Sequence, residues 1–279
     1  MEEFLQHTKS VLIKSNELPS VHVVLGDREC GLDSTVSALV YAYFLYKTHP
    51  ADYLYVPVLN IQRSEFPLRS EVVYILQQLN ISESSLTCRD DIDLHTLNKE
   101  GKLALTLVDH NRLTSYDKAL DTAIVKIIDH HEQGHIHCEI IQEPVGSCIT
   151  LIVSEILQVA PELLNQQLTH LLRGVIILDC MNMTAEAGKM TIKDKEIITA
   201  LEQRFPDFTS HQDVFDALLQ AKLDVSGLST EQILLKDLKE LLEGDAKLAI
   251  STVYMTLEIL NSTGRGECCE LGFTGSVLC

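Results

Sequence analysis

Four apolar runs in this chain end in residues that can bind a metal ion or carry a proton. The run 21–25 leads into Gly26-Asp27-Arg28-Glu29-Cys30-Gly31-Leu32-Asp33-Ser34. The run 103–108 ends in Asp109-His110, the run 124–128 in Asp129-His130-His131, and the run 174–178 in Asp179. One Asp after an apolar run is commonly a turn or cap residue, and Asp33 could simply cap the helix after it. Four such endings point further. If the runs lie side by side, their carboxylates converge and raise one another's pKa unless cations intervene. Carboxylate oxygen with imidazole nitrogen suits Mn²⁺, Co²⁺, Mg²⁺ or Zn²⁺. A carboxylate bridging two such ions is a common device for activating water at a phosphorus centre.

These residues need elements to hold them. The runs 21–25, 54–59, 103–108 and 124–128 read as buried strands. Helical patterns cover 33–46, 66–79, 146–159 and 165–178. Strands alternating with helices imply right-handed crossovers and a mostly parallel sheet, with ligands at the carboxyl ends of the strands. The expected fold is therefore α/β: a mostly parallel sheet flanked by helices, with a second, smaller α/β domain and a cleft between them. After Asp179 the pattern changes. A polar, linker-like helix over 193–204 is broken by Phe205-Pro206-Asp207, and helices over 213–222 and 230–242 and a strand over 247–255 follow. We place the first domain at 1–189, a linker helix at 190–207, the second domain at 208–260 and a loose Gly- and Cys-bearing tail at 261–279. Leu171-Leu172-Arg173 reads as a helix face with Arg173 at its solvated end.

Composition excludes several classes. The chain has 279 residues, with 22 Lys+Arg against 40 Asp+Glu and a net charge of −18. That charge repels nucleic acid and anionic membranes. Trp is absent and aromatics are 5%, which argues against a base-stacking platform. The N-terminus does not read as a signal peptide. The run 38–46 is far short of the ~20 residues that span a bilayer. Eight scattered Cys read as reduced thiols of a cytosolic protein. There is no G-x-x-x-x-G-K-[ST] loop, no G-x-G-x-x-G and no G-x-S-x-G elbow. His130, His131, His135, His137 and Cys138 could form a zinc cluster. No second Cys/His pair has zinc-finger spacing, so a polar loop with only His130 and His131 in the site is the preferred reading.

The triplet Asp129-His130-His131 after a strand, with Asp33-Ser34 and Asp109 upstream, resembles the DHH phosphoesterase superfamily. More closely, the chain resembles the prune group of exopolyphosphatase-like proteins. The matching segments are Val23-Val24-Leu25-Gly26, Leu32 to Leu39, Pro57 to Ile61, Val145-Gly146-Ser147-Cys148, Ile176 to Cys180, Asp224 to Leu228 and Leu235 to Lys239. The resemblance implies a parallel-sheet domain, a smaller associated C-terminal domain and an active site between them. It also implies two divalent ions, Mn²⁺, Co²⁺ or Mg²⁺. By resemblance, Asp33, Asp109, His130 and Asp179 would hold one metal, and Asp109 would bridge to a second that also takes Asp27. Asp109 and His131 would be the catalytic pair, with His131 facing the phosphate, and Lys236 and Lys239 would hold the outer phosphates. The implied activity is hydrolysis of terminal phosphoanhydride bonds in short polyphosphate, with cyclic-nucleotide phosphodiester cleavage a further attribute of the group. Protein partners, of no identity the sequence gives, belong to the alternative: a degraded enzyme acting as an interaction or regulatory module.

Two departures from the family pattern bear on that alternative. The carboxylate expected two residues before Asp33 is replaced by Gly31, and the Arg expected before Lys236 is replaced by Leu235. The associated domain also reads as shortened.

Overall fold

A computed structural model of the protein describes residues 1–14, 18–49, 53–131, 138–205, 208–236, 238–243 and 246–253. The first unit opens with α1 (Glu2–Lys14), β1 (Val21–Leu25), α2 (Leu32–Thr48), β2 (Leu54–Val58), α3 (Ser70–Gln78), α4 (Leu94–Lys99) and β3 (Leu103–Val108). It continues through β4 (Ile124–Asp129), β5 (Glu139–Gln142), α5 (Cys148–Val159) and α6 (Gln166–Asp179). Then come α7 (Ile192–Glu202), α8 (His211–Leu223), α9 (Thr230–Lys236), β6 (Leu238–Glu243) and β7 (Ala246–Ser251). Strands β2-β1-β3-β4-β5 form one sheet in that order, and every pairing in it is parallel. Strands β6 and β7 form an antiparallel pair. The α/β expectation holds.

Both faces of the sheet are covered, which is why its strands read as nearly continuous apolar runs. Val24, Val108 and Ile128 face a core built with α2, α3, α5 and α6. Val21, Val23, Leu25, Leu105 and Ile127 face a second core with Leu94 and Leu97 of α4 and Leu120. The register then aligns the strand ends. Leu25 pairs with Val58 and with Leu107, and Val108 pairs with Ile128. Whatever follows β1, β3 and β4 must therefore emerge at one edge.

Several expectations need correction. The helix over 66–79 is a 3₁₀ turn, Arg63–Leu68, followed by α3, because Pro67 interrupts the pattern. The helix over 230–242 stops at Lys236, and the next residues pair as a hairpin strand, so tertiary pairing overrides the helical propensity of Leu238 to Glu243. Asp179 closes α6, in line with the helical pattern over 165–178. Arg173 is buried, its Nε donating to Glu202 Oε1 at 2.5 Å and its Nη2 to Thr209 O at 2.9 Å. The linker-like helix is packed: Asp194, Ile197, Ile198 and Leu201 of α7 are all buried. Helix α1 and strand β5 were not anticipated. His135, His137 and the segment 261–279 lie outside the described residues.

Candidate metal centre at the carboxyl edge of the sheet

Asp109 follows β3 directly, and its N–H donates to Ile128 O at 3.0 Å, completing the β3–β4 ladder by one residue. Its φ is 65°, a left-handed conformation that an L side chain other than Asn or Asp rarely takes. Such backbone strain gathers where the surroundings over-determine a functional residue. The turn brings the carboxylate to His130, whose Nε2 lies 3.1 Å from Asp109 Oδ1.

His130 is fixed from its other side. Its Nδ1 faces Val145 O at 2.8 Å. A backbone carbonyl can only accept, so Nδ1 carries a proton and donates it. Nε2 is left as the ligating nitrogen, the arrangement that orients metal-bound imidazoles. Burial alone would lower the pKa of His130, but the bonds to Asp109 and to Val145 O lift it to about 9. Without a cation, Nε2 thus holds a proton that a metal would replace.

Asp33 arrives from the first turn of α2. Its Oδ2 accepts from Cys148 N at 2.5 Å, and its Oδ1 accepts from Ile149 N at 3.0 Å and from Ser37 Oγ at 3.1 Å. The carboxylate therefore sits at the N-terminal ends of both α2 and α5, where backbone dipoles favour negative charge. Oδ1 is filled by its two donors, while Oδ2 keeps a further lone pair for a cation. Asp179 arrives from the last turn of α6. Burial, then the charges of Asp33 and Asp109, push its pKa well up. Burial, then Asp33, push Asp109 up to about 7 against the pull of His130.

Two carboxylates raised in this way, packed beside the charge of Asp33, call for a cation. A second observation agrees. Asp179 Oδ2 and Ser147 Oγ are buried and have no hydrogen-bond partner among the described residues. The donor set of three carboxylates and one imidazole suits a hard or borderline divalent ion. The residues present therefore fit the metal that the sequence reading expects.

The triplet holds a residue whose part the sequence reading missed. Asp129 is fully buried. Its Oδ2 accepts from Asn111 Nδ2 at 2.5 Å, while its Oδ1 accepts from His130 N and from His131 Nδ1, both at 2.8 Å. Asp109, Asp129, His130 and His131 bring ligating atoms within 4.8 Å of one another. Asp129 Oδ1 is filled by the two histidine donors and so fixes the His131 ring, while Oδ2 accepts from Asn111. The His131 side chain is 60% exposed, and with Nδ1 on Asp129 its Nε2 is the outward nitrogen. Nearby, His110 Nδ1 donates to Val108 O (3.0 Å), while its buried Nε2 has no hydrogen-bond partner among the described residues.

The first loop is different in kind. Asp27 is half-buried, and Arg28 and Glu29 are exposed. Asp27 N donates to Ser34 Oγ at 2.5 Å, and Asp27 Oδ2 accepts from Glu29 N at 3.3 Å. Gly31 has φ −67° and ψ −178°, and a Cβ built there would meet nothing within 4 Å. The left-handed residue of this loop is Cys30, at φ 48°, and not the glycine.

Lys236 is not brought to the cation-binding residues. It is 6% exposed, and its Nζ donates to Leu68 O at 2.7 Å and to Ser70 Oγ at 2.8 Å. Arg69 Nη1 donates in turn to Lys236 O at 2.8 Å. This lysine therefore fastens α9 to the 3₁₀ turn of the first unit. Lys239 lies on β6 opposite Ile250, and its side chain is outside the described residues. Among the described residues no helix is long and apolar enough to cross a membrane.

Comparison with known proteins agrees with this geometry. Residues 22–183 match the model of the DHH family N-terminal domain, and residues 216–270 match the DHHA2 domain. The chain is 49% identical over 261 residues to exopolyphosphatase PRUNE1 of Homo sapiens, covering 92% of this chain and 57% of that protein. It is 27% identical over 243 residues to a manganese-dependent inorganic pyrophosphatase of Methanocaldococcus jannaschii, covering 82% of this chain and 70% of the relative. A solved chain assigned to the family II inorganic pyrophosphatases of Methanococcus jannaschii superposes with a TM-score of 0.61 at 26% identity, covering 83% of this chain and 71% of that one. The chain thus spans a little over half the length of the human relative it matches. The carboxylate edge, the buried Asp129 beside the two histidines and the matched domains make this chain a prune-type member of the DHH family.

Proposed function

We propose that the protein is a metal-dependent phosphohydrolase that releases terminal phosphate from short-chain inorganic polyphosphate. The observation that carries this reading is the convergence of Asp33, Asp109, His130 and Asp179, with Asp109 and Asp179 driven up in pKa as a cluster awaiting a cation. A divalent ion held there, Mn²⁺, Co²⁺ or Mg²⁺, would supply Lewis-acid polarisation of a phosphoryl oxygen and a lowered pKa for attacking water. The chain's own residues do the rest. Asp33 and Asp179 would neutralise the ion from two helix ends, and Asp109 would be the ligand nearest a second, weaker site that takes Asp27. His131, aimed by Asp129, presents Nε2 to the substrate phosphate and can donate a hydrogen bond or a proton to the leaving oxygen. The names of the relatives, an exopolyphosphatase and a manganese-dependent pyrophosphatase, support the substrate class.

A second reading, an interaction or regulatory module of reduced activity, is favoured by Gly31, which offers no ligand, and by the engagement of Lys236. One experiment separates them. Phosphate release from tripolyphosphate with Mn²⁺, Mg²⁺ or Co²⁺ is measured for the wild type and Asp109→Asn, with a cyclic nucleotide as a parallel substrate. Turnover by the wild type alone supports the hydrolase. No turnover of any substrate with any of the three ions removes it.

A further inference from the structure

The ligands of the candidate centre come from β3, β4, α2 and α6, yet two of them are held by one short segment, residues 145–149. Val145 O receives His130 Nδ1. Cys148 N and Ile149 N hold the Asp33 carboxylate. Ser147, between them, keeps its buried hydroxyl unpartnered among the described residues. The segment is itself pressed against the chain beyond Asp179: a Cβ at Gly146 would lie 2.5 Å from Cys180 Sγ and 2.6 Å from Lys189 O. What fixes the segment fixes these two ligands.

That anchor is Asp194, on α7 and outside the strands and helices that supply the ligands. It is fully buried. Its Oδ2 accepts from Thr191 N (2.8 Å) and Thr191 Oγ1 (2.6 Å), which caps α7. A cap needs no more than that. The rest of the carboxylate is spent 44–48 residues away: Oδ2 also accepts from Gly146 N at 2.8 Å, and Oδ1 accepts from Thr150 Oγ1 at 2.6 Å. Gly146 and Thr150 bracket Cys148 and Ile149, which hold Asp33, and Gly146 directly follows Val145, which holds His130.

We propose that Asp194 is a positioning residue for the metal centre: by clamping Gly146 and Thr150 from α7, it holds the 145–149 segment so that Val145 O, Cys148 N and Ile149 N aim His130 and Asp33 at the cation. The inference rests on reading these residues as a cation site. It also ties the metal centre to α7, the helix that leads toward the second unit.

The test uses the full chain and Mn²⁺ alone, with binding followed by titration calorimetry and the visible spectrum of Co²⁺ as a reporter of ligand geometry. Asp194→Ala should weaken Mn²⁺ binding about tenfold or more, the range for outer partners of metal ligands, and should shift the Co²⁺ spectrum. Asp194→Asn keeps an acceptor toward Gly146 N and an amide toward Thr150, and should stay within about threefold of the wild type. Ile198→Ala, a buried apolar change on the same helix, should lower Tm while leaving Mn²⁺ affinity and the Co²⁺ spectrum alone. Should Asp194→Ala fail to fold, Thr150→Val removes one arm of the bridge and spares the cap of α7, and a several-fold loss of affinity is expected. Wild-type affinity in Asp194→Ala or, where that variant does not fold, in Thr150→Val overturns the proposal. So does a loss in Ile198→Ala that tracks its Tm, because the effect would then be general destabilisation. Absence of Mn²⁺ binding by the wild type would overturn the cation reading itself, a failure distinct from that of the clamp.

Discussion

Asp33 and Gly31 are two residues apart, and they belong to two halves of one sheet edge that are built differently. Around Asp33 three of the four candidate ligands are held by a second group: two α5 amides for Asp33, Val145 O for His130, Ile128 O for the backbone of Asp109. Around Gly31 the loop exposes Arg28 and Glu29, its half-buried Asp27 accepts from Glu29 N two residues on, and the glycine offers no side chain. The contrast shows what preserves a ligand geometry. A carboxylate tied to two elements cannot be lost without unseating both, whereas one on a solvated turn can be deleted at little structural cost.

The comparison can be broken most strongly at the residue both halves share. Asp109→Asn should abolish measurable phosphate release and weaken Mn²⁺ binding by more than ~100-fold, beyond the loss expected from an outer partner. Asn tolerates the left-handed backbone at this position, so the fold should persist. Ionised Asp109 is unfavourable in the metal-free protein, as its raised pKa records, so Tm at pH 8 without metal should not fall. A drop of several degrees would mean that the carboxylate is structural.

Acidity offers the next lever. Asp109 titrates near 7 and His130 near 9, both above their ordinary values. A cation must displace these protons, so Mn²⁺ affinity should rise with pH, steeply below 7 where two protons leave and less steeply up to about 9. The metal-free fold shows the opposite sign. Both groups bind protons more tightly when folded, so their stabilisation is full at low pH and is lost as pH rises, through about 7 for Asp109 and about 9 for His130. Affinity that stays flat between pH 6 and 9 would exclude both groups as ligands.

A smaller effect should come from restoring the weaker half. Gly31→Asp places a Cβ in open space at an ordinary φ, and it should strengthen a second, weak Mn²⁺ site by about tenfold through one added carboxylate. Unchanged calorimetry in a well-folded variant would show that this position does not face a cation. The smallest effect belongs to Leu235→Arg. Leu235 is 43% exposed, and a bidentate guanidinium there should lower KM for tripolyphosphate two- to threefold. An unchanged KM would place this residue away from the substrate.

How much of this was legible in the chain follows from the kind of signal each part carries. Strands β1, β3 and β4 announce themselves because both of their faces are buried, and Asp109 and His130 follow because strand ends in a parallel sheet are where ligands collect. Asp179 was legible both as a residue and by its place, since the helical pattern over 165–178 leads straight into it. The Val145, Cys148 and Ile149 contacts were invisible because they are made by backbone groups, which carry no residue-type signal. Asp129 could have been found: it leads a triplet whose other two members were assigned roles, and a carboxylate beside two imidazoles has work to do. Strand β7 was legible within the run 247–255, whereas β6 was hidden by helix-forming residues whose pairing is settled only by the partner strand.

The parallel register of β1 has a consequence for how the molecule folds. Val21 pairs with Leu54 on one side and with Leu103 on the other, and the four ligands span Asp33 to Asp179 in the chain. Long-range parallel pairing closes large loops before it returns any contact energy, and so it forms slowly. The cation pocket is complete only after β1, β3, β4 and both ligand-bearing helices have docked. A metal ion bound at such a pocket would arrive too late to speed that search. Its binding energy would fall on the native side of the barrier and lengthen the lifetime of the folded chain, a bolt on a closed door with no part in closing it.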